Sequence, residues 1–151
     1  MTDSYDVVVI GGGPAGIAAA SSAVAAGATV ALIEQEKLGG MCVNATCIPT
    51  EIFLDAANSA FAVSNLSAEG VLADVGQPQF GALARRKRAL VRQIGEGLEQ
   101  RLRDGGIAHL TGHASFVDAH TIAIGPEQQI RAGSVVLAIG ARWRNPTLDG
   151  I

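Results

Sequence analysis

Six residues near the N-terminus, Gly11-Gly12-Gly13-Pro14-Ala15-Gly16, leave this chain few choices of architecture. Before them, residues 5–10 (Tyr-Asp-Val-Val-Val-Ile) form a largely β-branched run, the pattern of a parallel strand buried on both faces. After them, an alanine-rich segment to about Ala26 reads as a helix whose small side chains let it sit close on a sheet. Gly27 supplies its stop, and residues 29–33 (Thr-Val-Ala-Leu-Ile) supply the next strand. Gly11, Gly13 and Gly16 meet the G-x-G-x-x-G spacing, which provides in turn a tight turn, a close approach of backbone to a pyrophosphate, and close contact of helix with strand. Pro14 and Ala15 lie inside the same turn and join the candidate cofactor-binding set. The second strand ends at Glu34, eighteen residues after Gly16, where a carboxylate can accept hydrogen bonds from a ribose hydroxyl pair. The expected fold is α/β, a doubly wound, Rossmann-like parallel sheet. The fingerprint alone does not choose between FAD and NAD.

Composition excludes several other classes. A chain of 151 residues suits one domain, and 48% hydrophobic content is enough for a substantial core. A charged fraction of 17% and a net charge of −3 give no electrostatic case for nucleic acid or an anionic membrane surface. No apolar stretch reaches transmembrane length. Asp3 and Asp6 precede the first apolar run, the reverse of a basic signal-peptide start, so a cytoplasmic location is expected.

Both cysteines fall within residues 39–51, Gly-Gly-Met-Cys-Val-Asn-Ala-Thr-Cys-Ile-Pro-Thr-Glu. Four residues separate Cys42 from Cys47, so the sulfurs can meet if Cys47 opens a helix and Cys42 lies just before it. A reversible disulfide, two buried thiols, and half of a zinc site are each compatible with two cysteines. Zinc would need two more ligands from the distant His109, His113 and His120, and no metal is expected. Gly39 and Gly40 allow the backbone to approach something flat or anionic, and Pro49 suits the first turn of a helix starting near Cys47. A thiol at such a helix N-terminus is shifted toward thiolate.

Residues 39–50 resemble the active-site signature of the flavoprotein disulfide reductases, the family of dihydrolipoamide dehydrogenase, glutathione reductase and mercuric reductase. Residues 134–142, Ser-Val-Val-Leu-Ala-Ile-Gly-Ala-Arg, are similar to that family's second short signature, Ala-Thr-Gly-Ala followed by a basic residue, with Ile139 in place of threonine. The resemblance implies that the N-terminal fingerprint holds the ADP half of FAD. It also implies that Cys42 and Cys47 form a redox-active disulfide, with Cys42 toward a dithiol or disulfide substrate and Cys47 toward the isoalloxazine ring. Gly39, Gly40, Glu51, Gly112, Ala138 and Gly140 join the expected cofactor-contacting set. In three places the chain departs from the family: Thr46 replaces a glycine, Glu51 replaces a lysine beside the flavin, and Trp143 stands where proline is usual.

The rest of the chain supplies the frame. A helix is expected from Ile48 to roughly Val63, an exposed connection over 65–79, and a long helix from about Phe80 to Arg103. In that helix Leu83, Leu90, Val91, Ile94, Leu98 and Leu102 form one stripe, and Gly95 and Gly97 hint at close packing against a neighbour. A strand over 107–111 closes at Gly112. Short strands over 114–117, 121–124 and 129–131 suggest a small antiparallel meander before the last strand at 134–142. His113 and His120 are expected at the surface.

The resemblance further implies that a nicotinamide domain, a later FAD-contacting segment and a dimerisation domain lie outside these residues. The chain alone is therefore expected to lack nicotinamide-dependent disulfide reduction and to associate with a complementary chain or with itself. Two other readings remain open: a flavin-binding subunit or redox partner without turnover of its own, and a dithiol oxidase that does not use NAD(P)H.

Overall fold

The computed structural model describes residues 3–73, 76–144, 147–148 and 150. The β-branched run forms strand β1 (Asp3–Ile10), and the glycine turn leads into helix α1 (Pro14–Ala25) and strand β2 (Val30–Glu34). Short helix α2 (Gly40–Asn44) and long helices α3 (Cys47–Ala68) and α4 (Phe80–Asp104) follow. Strands β3 (Ala108–Thr111), β4 (Ala114–Asp118), β5 (Thr121–Ile124) and β6 (Gln128–Leu137) complete the order.

All six strands join one sheet in the order β3-β2-β1-β6-β5-β4. β3, β2, β1 and β6 run parallel, and β5 and β4 add in antiparallel fashion. Alternation along β1 and β2 sends side chains to two cores. Val9, Val30 and Leu32 face α1 and the last turns of α4, where Ile17, Ala20, Leu98, Leu102 and Ile107 meet them. Val8, Ala31 and Ile33 face the other way, against Ile122, Ile124, Ile130 and Ala132 of the meander. The antiparallel strands thus cover the second face of the parallel sheet.

Three helices stop by the same device. At the ends of α1, α3 and α4 a glycine with positive φ (Gly27, Gly70, Gly106) donates to the carbonyl three residues back, and the next residue donates to the one five back. Such an arrangement satisfies the last carbonyls of a helix. It corrects the expected end of α3 near Val63: the polar residues Ser64 and Asn65 do not break the helix, which runs on to Ala68 until Gly70 can adopt the left-handed conformation.

Two further expectations are corrected. The strands expected over 129–131 and 134–142 are one strand that ends at Leu137, with residues 138–142 beyond it, because Gly133 lets β6 lie against Asp6 without a gap; a Cβ there would sit 2.8 Å from the Asp6 carbonyl oxygen. β5 pairs with residues 128–131 and Ala132 N–H still reaches the His120 carbonyl at 2.8 Å, so among the described residues it is beyond Ala132 that β6 is bonded on one side only, to β1. Val136, Leu137 and Ile139 are exposed there. The second correction concerns Gly95 and Gly97, where an added Cβ would meet nothing within 4 Å among the described residues. Much of α4 packs with α3 as a helical hairpin, tied by the stacked rings of Phe53 and Phe80 (centroids 5.7 Å apart) and by an exposed Arg86–Asp55 ion pair at 3.9 Å. Among the described residues no helix is long and apolar enough to cross a membrane.

A glycine in an exposed helix interior with open space around it costs stability by backbone entropy alone. Gly97→Ala should therefore stabilise the fold by about 0.5–1 kcal/mol, a rise of roughly 2–3 °C in thermal midpoint. Calorimetry showing a lower midpoint would mean that this part of α4 is in contact with something the open space does not reveal.

Candidate functional site

The carboxyl ends of β2, β1 and β6 lie side by side and the glycine turn rises from the middle one. Gly11 N–H donates to the Ile33 carbonyl (2.8 Å) and Ala138 N–H to the Ile10 carbonyl (2.8 Å), fixing the turn to both neighbours. Ligand crevices of open α/β sheets form at this edge. The glycines there do different things. A side chain on Gly16 would be driven into the Gly11 carbonyl, and one on Gly11, with φ +109°, into the Ala138 carbonyl. These two let helix and strands close up. Gly13 faces open space, its nearest neighbour beyond the turn being the Cα of Gly40.

Gly13 and Gly40 mark two helix starts with bare backbone. Among the described residues neither α1 nor α2 has a side-chain N-cap or an acidic residue in its first turn, so no side chain answers the N–H groups that follow Pro14 in α1 or Gly40, whose own N–H reaches the Lys37 carbonyl at 3.4 Å, in α2. Pro14 and Ala15 are exposed at the head of α1. Such N–H groups favour anions, and the 12-residue α1 adds its dipole. Gly39 has φ +92° and its N–H donates to the Gly12 carbonyl at 2.7 Å, which brings α2 up against the turn.

Glu34 stands beside them, half-buried. Its Oε2 accepts from Gly12 N–H at 2.7 Å and its Oε1 from Glu36 N–H at 2.8 Å. Each carboxylate oxygen keeps a lone pair for another donor such as a sugar hydroxyl. Gly112 closes this side, its N–H donating to the Glu34 carbonyl at 2.9 Å. Gly140 lies exposed past β6 with φ +66°, and two residues on Arg142 reaches Glu36 at 3.2 Å, so an exposed ion pair links the loops after β6 and β2. The structure thus gathers Gly11, Gly13, Gly16, Glu34, Gly39, Gly40, Gly112 and Ala138 at one edge.

The cysteines follow directly. Cys42 is half-buried in α2 and Cys47 is exposed as the first residue of α3; both are free thiols. Each sulfur is the main influence on the other. The hydrogen bond between them pushes Cys42 above the usual thiol range and pulls Cys47 below it. The Thr46 hydroxyl, 3.6 Å from Cys47 Sγ, adds to the lowering, while the Glu51 carboxylate one turn along α3 opposes it. Glu51 is exposed and sits on the Cys47 side of its helix. Two buried thiols are excluded by the exposure of Cys47, and among the described residues no three His, Cys, Asp or Glu side chains gather as a metal site. His113 and His120 are exposed; the Nε2 of half-buried His109 on β3 has no hydrogen-bond partner among the described residues.

Reading the sequence missed Asn44. Its Nδ2 donates to the carbonyls of Leu38 (3.0 Å) and Gly40 (2.8 Å), which locks the glycine turn in front of the cysteines. The available signal was an amide side chain four residues after a glycine that opens a helical turn.

Comparison with known proteins agrees with this arrangement. Residues 5–151 match the family model of the pyridine nucleotide-disulphide oxidoreductases. The chain is 35% identical over 146 residues to dihydrolipoyl dehydrogenase of Chlamydia pneumoniae, an alignment covering 95% of this chain and 32% of that protein. It is 32% identical to glutathione reductase of Schizosaccharomyces pombe, over 90% of this chain and 31% of the relative. In structure it is similar to the HOCl-induced flavoprotein disulfide reductase RclA from Escherichia coli, with a TM-score of 0.80 and 28% identity, covering 97% of this chain and 31% of that one. The chain therefore spans about a third of the length of these proteins.

Exposure and charge both single out Cys47 in the cofactor-free chain, although the resemblance puts Cys42 on the substrate side. Under limiting iodoacetamide at neutral pH, Cys47 should be alkylated several-fold faster than Cys42, because the thiolate is the nucleophile and Cys47 carries more of it. Peptide mass mapping that finds Cys42 modified first would refute this order.

Proposed function

The chain belongs to the pyridine nucleotide-disulphide oxidoreductase family, and on that footing we propose that it is the FAD-binding segment of a flavoprotein disulfide oxidoreductase. In this reading Cys42 and Cys47 exchange electrons between the flavin and a thiol or disulfide substrate. The observation that carries it is the 2.7 Å bond from Gly39 N–H to the Gly12 carbonyl, which ties the dinucleotide turn to the helix that presents Cys42. A turn that would cradle a diphosphate thus stands beside the segment that carries the thiols, the two held together by that bond.

The residues present fit FAD. The uncapped start of α1 and the bare backbone at Gly13 and Gly40 would take the diphosphate, and Glu34 would take the adenosine ribose. Gly112, Ala138 and Gly140 would line the same crevice, and Cys47 would face the ring. The bound FAD supplies a two-electron carrier. The chain's own residues do the sulfur chemistry. With the pair reduced, Cys42 gives up its proton as its sulfur attacks a substrate disulfide, forming a mixed disulfide, and the departing thiolate takes that proton and leaves as one thiol. The Cys47 thiolate then attacks the Cys42 sulfur, closing the Cys42–Cys47 disulfide and releasing the second thiol. A dithiol substrate runs the same steps in reverse. The raised Cys42 thiol and the lowered Cys47 thiol suit unequal tasks, since Cys47 holds the resting negative charge at the positive end of α3.

A second reading, a flavin-binding subunit completed by another segment, is favoured by the one-sided pairing of β6 and the exposure of Val136, Leu137 and Ile139 beside it. An added strand there would bury these side chains, whether it comes from the same polypeptide or from another.

Isolated from its source with any chain that co-purifies, the protein should be yellow and release one FAD per chain on denaturation. Gly13→Glu, which puts a carboxylate in the cradle, should abolish binding, and FAD should reverse the alkylation order by covering Cys47. Release of NAD without flavin would sink the assignment. Glu51 should also make the bound flavin harder to reduce, because a carboxylate near the ring disfavours the anionic reduced form. Glu51→Lys should raise the midpoint potential, on the order of 30 mV for each ~1.4 kcal/mol of changed interaction. An unchanged potential in spectroelectrochemical titration would mean that Glu51 does not face the ring.

A further inference from the structure

We propose that Thr46 is a positioning residue for Cys47: its hydroxyl is a switchable donor that turns to the Cys47 sulfur when that sulfur is a thiolate and returns to the Met41 carbonyl when it is not. This rests on the dithiol reading above and gives a role to a side chain at a position where the resembling family carries glycine.

Two acceptors compete for one proton. Thr46 Oγ1 lies 3.1 Å from the Met41 carbonyl oxygen and 3.6 Å from Cys47 Sγ, and a hydroxyl can donate to only one of them at a time. The Met41 carbonyl is already well served. It accepts the N–H groups of Ala45 and Thr46, both at 2.8 Å, which occupy its two lone pairs. The hydroxyl is therefore the third and longest donor at that oxygen, and turning away gives up the weakest of the three bonds. A neutral or disulfide-bonded sulfur is a poor acceptor and cannot draw it off. A thiolate can, because hydrogen bonds to an ionised acceptor are roughly twice as strong.

The backbone keeps the hydroxyl in place through this exchange. Thr46 N–H is held by Met41, and its carbonyl accepts Thr50 N–H at 2.9 Å as the first bond of α3. Glycine at this position could keep both bonds but would have no donor. Among the described residues, the titratable groups that reach Cys47 are Cys42 from α2 and Glu51 one turn along α3. Glu51 works against the thiolate while Cys42 and Thr46 work for it, so Thr46 supplies a donor where a carboxylate has been placed nearby.

The test uses the full chain in a Cys42→Ala background, so that a single thiol remains, and follows iodoacetamide alkylation of Cys47 from acid to alkaline pH. Thr46→Val keeps the shape and removes the donor. Its inflection should move up by about 0.5–1 pH unit, equivalent to about threefold to tenfold less thiolate at any pH below both inflections. Thr46→Ser should restore the parent profile, and Thr46→Gly should follow the valine variant. A valine profile that overlays the parent overturns the proposal; so does a serine profile displaced as far as valine, since the hydroxyl would then not be the cause. The inflection is read in place of a bare rate because a thiolate of higher pKa is also a better nucleophile. No flavin and no turnover enter the measurement. Failure of FAD to bind would leave this result legible, and failure here would leave the cofactor assignment standing.

Discussion

The site depends on how closely α1 comes down onto β1 and β6. With no side chains at Gly16 and Gly11, helix backbone meets strand backbone, and Ala138, the residue after β6, closes against the same point. One methyl group at either glycine would force the layers apart. The consequence is electrostatic as well as steric. The field of a helix terminus falls off within about one turn, so α1 can act on an anion at the sheet edge only because its first turn is held there. Farther along, Ala20 and the partly buried Ala19 and Ala23 continue the close approach. Beneath them Val9, Val30 and Leu32 are sealed from water, each contributing about 1.5–3 kcal/mol of burial.

From that edge the chain carries the cysteines outward by short, local connections. Gly39 and Gly40 take left-handed conformations, Asn44 pins the carbonyls of Leu38 and Gly40, and α2 lasts only from Gly40 to Asn44 before α3 begins at Cys47. Cys42 and Cys47 therefore belong to two different helices and meet across the break between them. Long α3 packs chiefly on α2 and α4, not on the sheet, and its far half leaves Phe61, Val63 and Leu66 exposed. The stability of the cysteine region thus comes from backbone hydrogen bonds and the buried side chains of Leu38, Val43 and Pro49 more than from the main core.

The charge balance at Cys47 is local too. A helix start, a neighbouring sulfur and a hydroxyl favour the thiolate, and one carboxylate opposes it. All four act within about one helical turn, so solvent and salt screen them less than they would more distant charges. This allows single substitutions at Thr46 or Glu51 to act on the sulfur without reaching the fold.

The sequence by itself determined the strand–turn–helix–strand unit, because residues 5–34 carry their own instructions: a β-branched run, glycines at the turn, small residues along the helix, and a glycine to end it. It also placed the head of α3 at Cys47 and the long α4 with its apolar stripe, since both depend on local spacing. Tertiary structure alone decided the rest. Whether residues 128–137 make one strand or two depends on β1 lying alongside Gly133, a contact between residues far apart in the chain. That the meander covers the second face of the sheet depends on β6 pairing with β1 and β5 at once. Gly11 and Gly13 look alike in a motif, yet one packs against Ala138 and the other faces open space, because only the assembled sheet puts a carbonyl beside the first. The inequality of Cys42 and Cys47 has the same origin: exposure and hydrogen-bond direction are properties of the packed molecule, and the four residues between the cysteines do not encode them.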